Sequence, residues 1–260
     1  MRKLFFLFFL FAIQAEALQT GWLKIQLPEL PHPDLQPALL KEPLNPKSEV
    51  FEIYIPKNYD VSKSYGVLAW VNPHDGLQIP RHFEPLFDEY GLIAISAERI
   101  GNDRPWQRRI AVLESGIVQL SKTLNIDPQK RIMSGLSGGG RTSATACFVH
   151  PEFWKGAISW VGGNFYKTYS IPMPVGATKR GINDYDPSTV SDEQLKIARE
   201  KVRFVLITGP NDFNLNDSRG IYRALRNDHF QSVLLEEPGL GHEVGSAEYM
   251  KKALEFVIKQ

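Results

Sequence analysis

Cysteine is nearly absent from this 260-residue chain, where Cys147 stands alone. An intramolecular disulfide is therefore impossible, and stability must come from a buried core, which a chain of this length can build. Net charge is nearly absent too, with 30 basic residues against 29 acidic ones and a formal charge of +1. That excludes the strong positive field by which proteins hold nucleic acid or anionic membranes, so neither is an expected partner. Internal repeats and low-complexity tracts are lacking. The apolar run from Leu4 to Ile13 is about ten residues, too short for a spanning helix of roughly 20.

What the N-terminus does have is order. Met1-Arg2-Lys3 is basic, the Phe-rich apolar run follows, and Ala15-Glu16-Ala17 is a small-x-small site. That sequence of features predicts a secretory signal peptide over 1–17, an exported protein (periplasmic or secreted), and no stable membrane insertion after cleavage. Residues 18–48 read as a separate N-terminal segment. It opens with the strand-like alternation Gly21 to Leu27, then turns proline-rich and extended, from Pro28 to Pro46.

From residue 49 to 260 the pattern predicts one catalytic-sized domain. Strands are expected at Val50–Ile55, Gly66–Val71, Leu92–Ala97, Arg131–Ser134, Ala157–Val161, Val202–Thr208 and Ser232–Leu235. Helical patterns alternate with them. They cover Pro80–Tyr90, the spacing Ile110, Leu113, Ile117, Leu120, Leu124, then Gly139–Val149, Asp192–Glu200, Ser218–Asn227 and Ser246–Ile258. Strands alternating with helices argue for an α/β fold with a mostly parallel sheet covered by helices on both faces. Such sheets place their chemistry at the C-terminal ends of the strands. The aromatic and proline-rich segment 164–190 breaks the rhythm and reads as an excursion over the active-site rim.

The chemistry-bearing residues fall at strand ends. Gly135-Leu136-Ser137-Gly138-Gly139 joins a short strand to a helix. A serine on so sharp a turn is exposed at a helix N-terminus, and small neighbours let strand and helix approach. A hydroxyl needs a base, and His242 sits in the glycine-rich loop Pro238–Glu243 after the last strand. The orienting acid should follow the strand before it. Asp212 is the first choice there, with Asp217 the alternative, since Asp217 equally suits the start of the next helix. The spelling Asp212-x-Asn214-x-Asn216 starts like a calcium loop. Asp217 in place of glycine and Arg223 in place of glutamate rule that out, and no metal site is expected. The chain order Ser, Asp, His is that of α/β-hydrolases. An oxyanion needs two N–H donors: Gly138 is expected to give one, and the loop Asn72-Pro73-His74-Asp75-Gly76 the other. Pro73 has no N–H, which leaves His74.

These pieces resemble the polyhydroxybutyrate-depolymerase-like and feruloyl-esterase-like branch of the α/β-hydrolase superfamily. The resemblance is carried by FEIYIPKNYD, LNIDPQKRIMSGLSGGGRTSA, GPNDFN and PGLGHE. It implies the α/β-hydrolase fold and carboxylic-ester hydrolysis by Ser137, His242 and Asp212, without a metal or organic cofactor. The partner would be a small-molecule or polymer ester. The branch usually has a His-Gly-rich oxyanion loop, where this chain has Asn72-Pro73-His74. A peptidase or carbohydrate deacetylase on the same fold, or a catalytically weak binding protein, are the alternatives. The aromatics Trp106, Trp160, Phe165, Tyr166 and Tyr169 are candidates either for a substrate pocket or for the core.

Overall fold

The computed structural model describes residues 19–31, 44–167, 169–173, 176–180 and 190–258. The leader expected at 1–17 lies outside these residues, as do the middle of the proline-rich stretch and parts of the 164–190 excursion.

The apolar runs become strands for a steric reason. β3 (Tyr65–Val71) is buried at every position, and its β-branched and aromatic side chains alternate between two faces. Val67, Ala69 and Val71 enter the core on one side of the sheet, while Leu68 and Trp70 enter the core on the other. A strand covered on both faces has no polar side to show. The same division sorts β4 (Leu92–Ala97) and β9 (Arg203–Thr208). Burying each Leu, Ile or Val contributes about 1.5–3 kcal/mol before the cost of ordering the chain.

With β1 (Gly21–Gln26), β2 (Val50–Ile55), β5 (Ile126–Leu136), β6 (Gly156–Trp160) and β10 (Gln231–Glu236), they form one eight-stranded sheet in the order β1-β2-β4-β3-β5-β6-β9-β10. β2 runs antiparallel to both β1 and β4, and the strands from β4 to β10 are parallel. α2 (Trp106–Leu120), α3 (Gly138–Val149), α4 (Asp192–Lys201) and α5 (Leu215–Asn227) supply side chains to one core. α1 (Glu84–Tyr90) and α6 (Ala247–Ile258) supply them to the other. α1 ends on Gly91 in the left-handed conformation (φ 60°), which a glycine adopts without steric cost. α4 begins on the Ser191–Gln194 capping box.

One expectation needs revision. The strand expected at 131–134 begins at Ile126 and runs through Pro128. Its pairing with β3 shifts between Tyr65 and Val67, so the proline sits at the irregularity, where no ladder hydrogen bond is required of it. The excursion 164–190 contains an antiparallel pair, β7 (Tyr169–Met173) and β8 (Gly176–Arg180), with β7 against α5.

Candidate active site

Ser137 follows β5 directly and caps α3 with φ 54° and ψ −114°. A non-glycine residue there is strained, and the surroundings hold it. The Ser137 amide donates to the Trp160 carbonyl at 2.8 Å. A Cβ on Gly135 would come within 2.5 Å of the Val71 carbonyl oxygen, and one on Gly139 would overlap that same oxygen. The elbow is thus wedged against the end of β3 so closely that only glycine fits on either side of the serine.

His242 comes from the loop after β10 and Asp212 from the loop after β9. His242 Nε2 lies 2.8 Å from Ser137 Oγ, and His242 Nδ1 lies 2.8 Å from Asp212 Oδ1. A carboxylate only accepts, so Nδ1 carries the proton and Nε2 is left to accept the serine O–H. Ser137 and His242 are half-buried, and Asp212 is buried. The sheet sets this geometry: β5, β9 and β10 are parallel, and all three loops leave the same edge.

Three donors converge on the Asp212 carboxylate. Besides His242, the Thr208 hydroxyl donates to Oδ2 at 2.7 Å and the Asn214 amide to Oδ1 at 3.0 Å. The Asp212-x-Asn214 spelling is therefore a local turn that aims the carboxylate, and Asn214 also reaches the Val161 carbonyl at 2.8 Å. Asp217 lies instead in the first turn of α5, 3.8 Å from Arg141. Its position there suits the helix dipole. The acid and base loops are tied together as well: the Asn211 amide donates to the Leu240 carbonyl at 3.1 Å, and its side chain donates to the Gly239 carbonyl at 3.1 Å.

The facing wall is built from the loops after β3 and β4. Asn72 is buried and turned inward: its Oδ1 accepts from Trp70 Nε1 at 2.8 Å. His74 lies exposed farther along this loop. Asp75 accepts from the Gly101 amide at 2.7 Å and from Arg104 at 2.8 Å. Burial pushes the Asp75 carboxyl up, but Arg104 and the Gly101 amide outweigh it and hold it below the usual carboxylate value.

The sequence reading missed several residues here. The buried guanidinium of Arg109 donates to the carbonyls of Ile100 (2.8 Å), Asn72 (3.0 Å) and Gly138 (3.4 Å), joining both loops to the start of α3. The Asn102 carboxamide occupies the space where a Gly138 side chain would stand, and the Asn102 amide donates to the Pro73 carbonyl at 2.8 Å. Phe213 stacks on the His242 imidazole. Apart from the Arg109–Ile100 bond, these contacts join segments distant in sequence, so no local pattern announces them. Of the aromatics singled out earlier, Trp160 and Phe165 are fully buried. Tyr166 is half-buried against Phe148 and Phe230, and Trp106 packs on the core. The Tyr169 side chain lies outside the described residues.

Comparison with known proteins agrees with this architecture. Residues 112–259, more than half of the chain, match the prolyl oligopeptidase family. None of the curated proteins compared with the chain matches it. Among solved structures, a ferulic acid esterase is similar with a TM-score of 0.56 at 17% identity, over 79% of this chain and 89% of its own. A thermophilic esterase from the Planctomycetes species Thermogutta terrifontis gives 0.56 at 19%, over 81% and 86%. A Bacteroides ovatus protein described as a dipeptidyl aminopeptidase IV gives 0.58 at 15% over 80% of this chain, which spans only 33% of that larger protein. At these identities the likeness is one of fold. The sheet order, the serine on its strand-to-helix turn and the family match together assign the chain to the prolyl oligopeptidase family, a serine hydrolase of the α/β-hydrolase superfamily.

Proposed function

We propose that the protein is an exported carboxylic-ester hydrolase that works through an acyl-enzyme on Ser137. The observation that carries this reading is the hydrogen-bonded line from Asp212 through His242 to Ser137, 2.8 Å at each step. Ser137 Oγ attacks the ester carbonyl carbon while His242 Nε2 takes its proton. The tetrahedral oxyanion forms beside the Gly138 amide at the N-terminus of α3, where negative charge is favoured. The C–O bond then breaks, and Nε2 passes the proton to the departing alcohol. Water repeats the sequence on the acyl-enzyme, and the acid leaves. Asp212 keeps the imidazole in the required tautomer and stabilises its charged form. The second oxyanion donor comes from the facing wall, with the His74 amide as one candidate and the Asn102 carboxamide as the other.

The test uses p-nitrophenyl acetate and butyrate with the mature protein and with Ser137→Ala. Turnover by the first and none by the second is expected; equal rates would defeat the reading. Export rests on the leader pattern of residues 1–17 and is checked by the N-terminal sequence of the protein recovered outside the cytoplasm.

A second reading is peptide hydrolysis, favoured by the family match. A panel of aryl esters, acylated sugars and proline-containing peptides separates the two. Efficient peptide cleavage without a preference for esters would select the peptidase.

A further inference from the structure

One aromatic side chain at the site is used by neither the fold nor the proton-transfer line. Phe213 follows Asp212, and its ring lies on the His242 imidazole with centroids 3.9 Å apart and planes at 26°. It is nonetheless 77% exposed. Among the described residues only Val61 is a comparably open large apolar side chain, and it lies in the turn entering β3, at the opposite edge of the sheet. Phe213 is held out by a stiff loop. The Asp212 amide donates to the Gly209 carbonyl at 3.1 Å, and Asn214 is fixed on its other side by bonds to Asp212 and Val161. One face of the phenyl ring meets the imidazole, and the rest is left to water, an arrangement that costs solvation energy in the free enzyme.

The chemistry of the site says what approaches this ring. Whatever leaves must take its proton from His242 Nε2, so the departing oxygen has to come within about 2.6–3.2 Å of that nitrogen. The acyl oxygen is turned the other way, toward the Gly138 amide. The substituent on the departing oxygen therefore lies close beside the imidazole, whose face the Phe213 ring covers. We propose that Phe213 forms the apolar wall of the leaving-group site, and that the preferred substrates are esters of aryl or bulky apolar alcohols. This inference rests on the ester-hydrolase reading and adds the alcohol side to it.

The experiment compares benzyl acetate with 2-methoxyethyl acetate, using wild type, Phe213→Ala and Phe213→Tyr. Both esters give the same acetyl-enzyme, so a difference in kcat/KM reports acylation and the alcohol alone. Wild type should prefer benzyl acetate. In Phe213→Ala that preference should fall about tenfold, as expected for losing one aromatic contact with the apolar area it covers, and Phe213→Tyr should restore most of it. If Phe213→Ala slows both esters by the same factor, or neither, the ring merely steadies the imidazole or does nothing, and the proposal is overturned. If wild type cleaves neither ester and a fluorophosphonate fails to label Ser137, the ester-hydrolase reading itself falls, and this inference with it.

Discussion

The side-chain amide of Asn214 donates to the main-chain carbonyl of Val161, 2.8 Å away and 53 residues earlier in the chain. Val161 is held at φ 45°, a region that β-branched residues avoid. Gly162 follows, so close to the Ser137 carbonyl oxygen that a Cβ there would lie 2.5 Å from it. One buried carboxamide thus fixes a strained turn that backs Ser137. Asn214→Ala leaves that carbonyl without this donor, and we expect a loss of about 1–3 kcal/mol in stability. Denaturant unfolding checks the value.

The two aspartates of the acid loop should separate cleanly. Asp212→Asn keeps the packing but favours the wrong imidazole tautomer, and kcat should fall by about 10⁴. Asp217→Asn touches the start of α5 and not His242, so its effect should stay within severalfold. Steady-state kinetics on one aryl ester compares them, and a large loss in Asp217→Asn alone would reverse the assignment.

Arg109 holds three carbonyls from three segments in one place. Arg109→Met should cost about 3 kcal/mol, because hydrogen bonds from a charged donor are strong and the carbonyls lose them while buried. The loosened wall should lower kcat more than it raises KM. Thermal unfolding and a kcat against KM comparison read the two effects separately.

The second oxyanion donor is resolved by a pair of variants. His74→Pro removes a main-chain N–H, and Asn102→Ala removes a carboxamide. Loss of a true donor should cost about 10²–10³ in kcat. The variant that reaches this range with unchanged circular dichroism identifies the donor.

Asp75 links the two loops of the facing wall, and its folded carboxyl titrates below its ordinary value. A depressed carboxyl stabilises the fold above its unfolded pKa, and the contribution disappears as pH falls through the lower folded value. Asp75→Asn should therefore be less stable than wild type at neutral pH, and the gap should close on acidification below about pH 4. Since Asp75 and Arg104 are both partly exposed, the gap should be about 1 kcal/mol or less and smaller in high salt. Unfolding curves across the acid range measure it.

Much of the architecture was legible because it repeats a simple rule. GVLAWV has no polar face, and the glycine-rich stretches at 135–139 and 238–241 punctuate strand ends. Ser137, Asp212 and His242 stood out because each occupies such a loop, in a recognisable chain order. Pro128 concealed the true length of β5, since a proline argues against a strand unless the pairing is already irregular there. Arg109 looked like an ordinary polar position on α2. Its buried guanidinium is received by carbonyls of three separate segments, and that convergence exists only in the fold. At the place of the His-Gly loop expected from the resemblance, Asn72 turns inward and its side chain is engaged by Trp70.

The two hydrogen bonds from Asn211 to Leu240 and Gly239 tie the loops of Asp212 and His242 to each other, and Asn214 ties the first of them to the turn behind Ser137. The three side chains are therefore braced through one connected set of hydrogen bonds, and loosening any one loop would disturb the other two. Under the ester-hydrolase reading, a substrate meets an imidazole already held in the tautomer that accepts the serine proton.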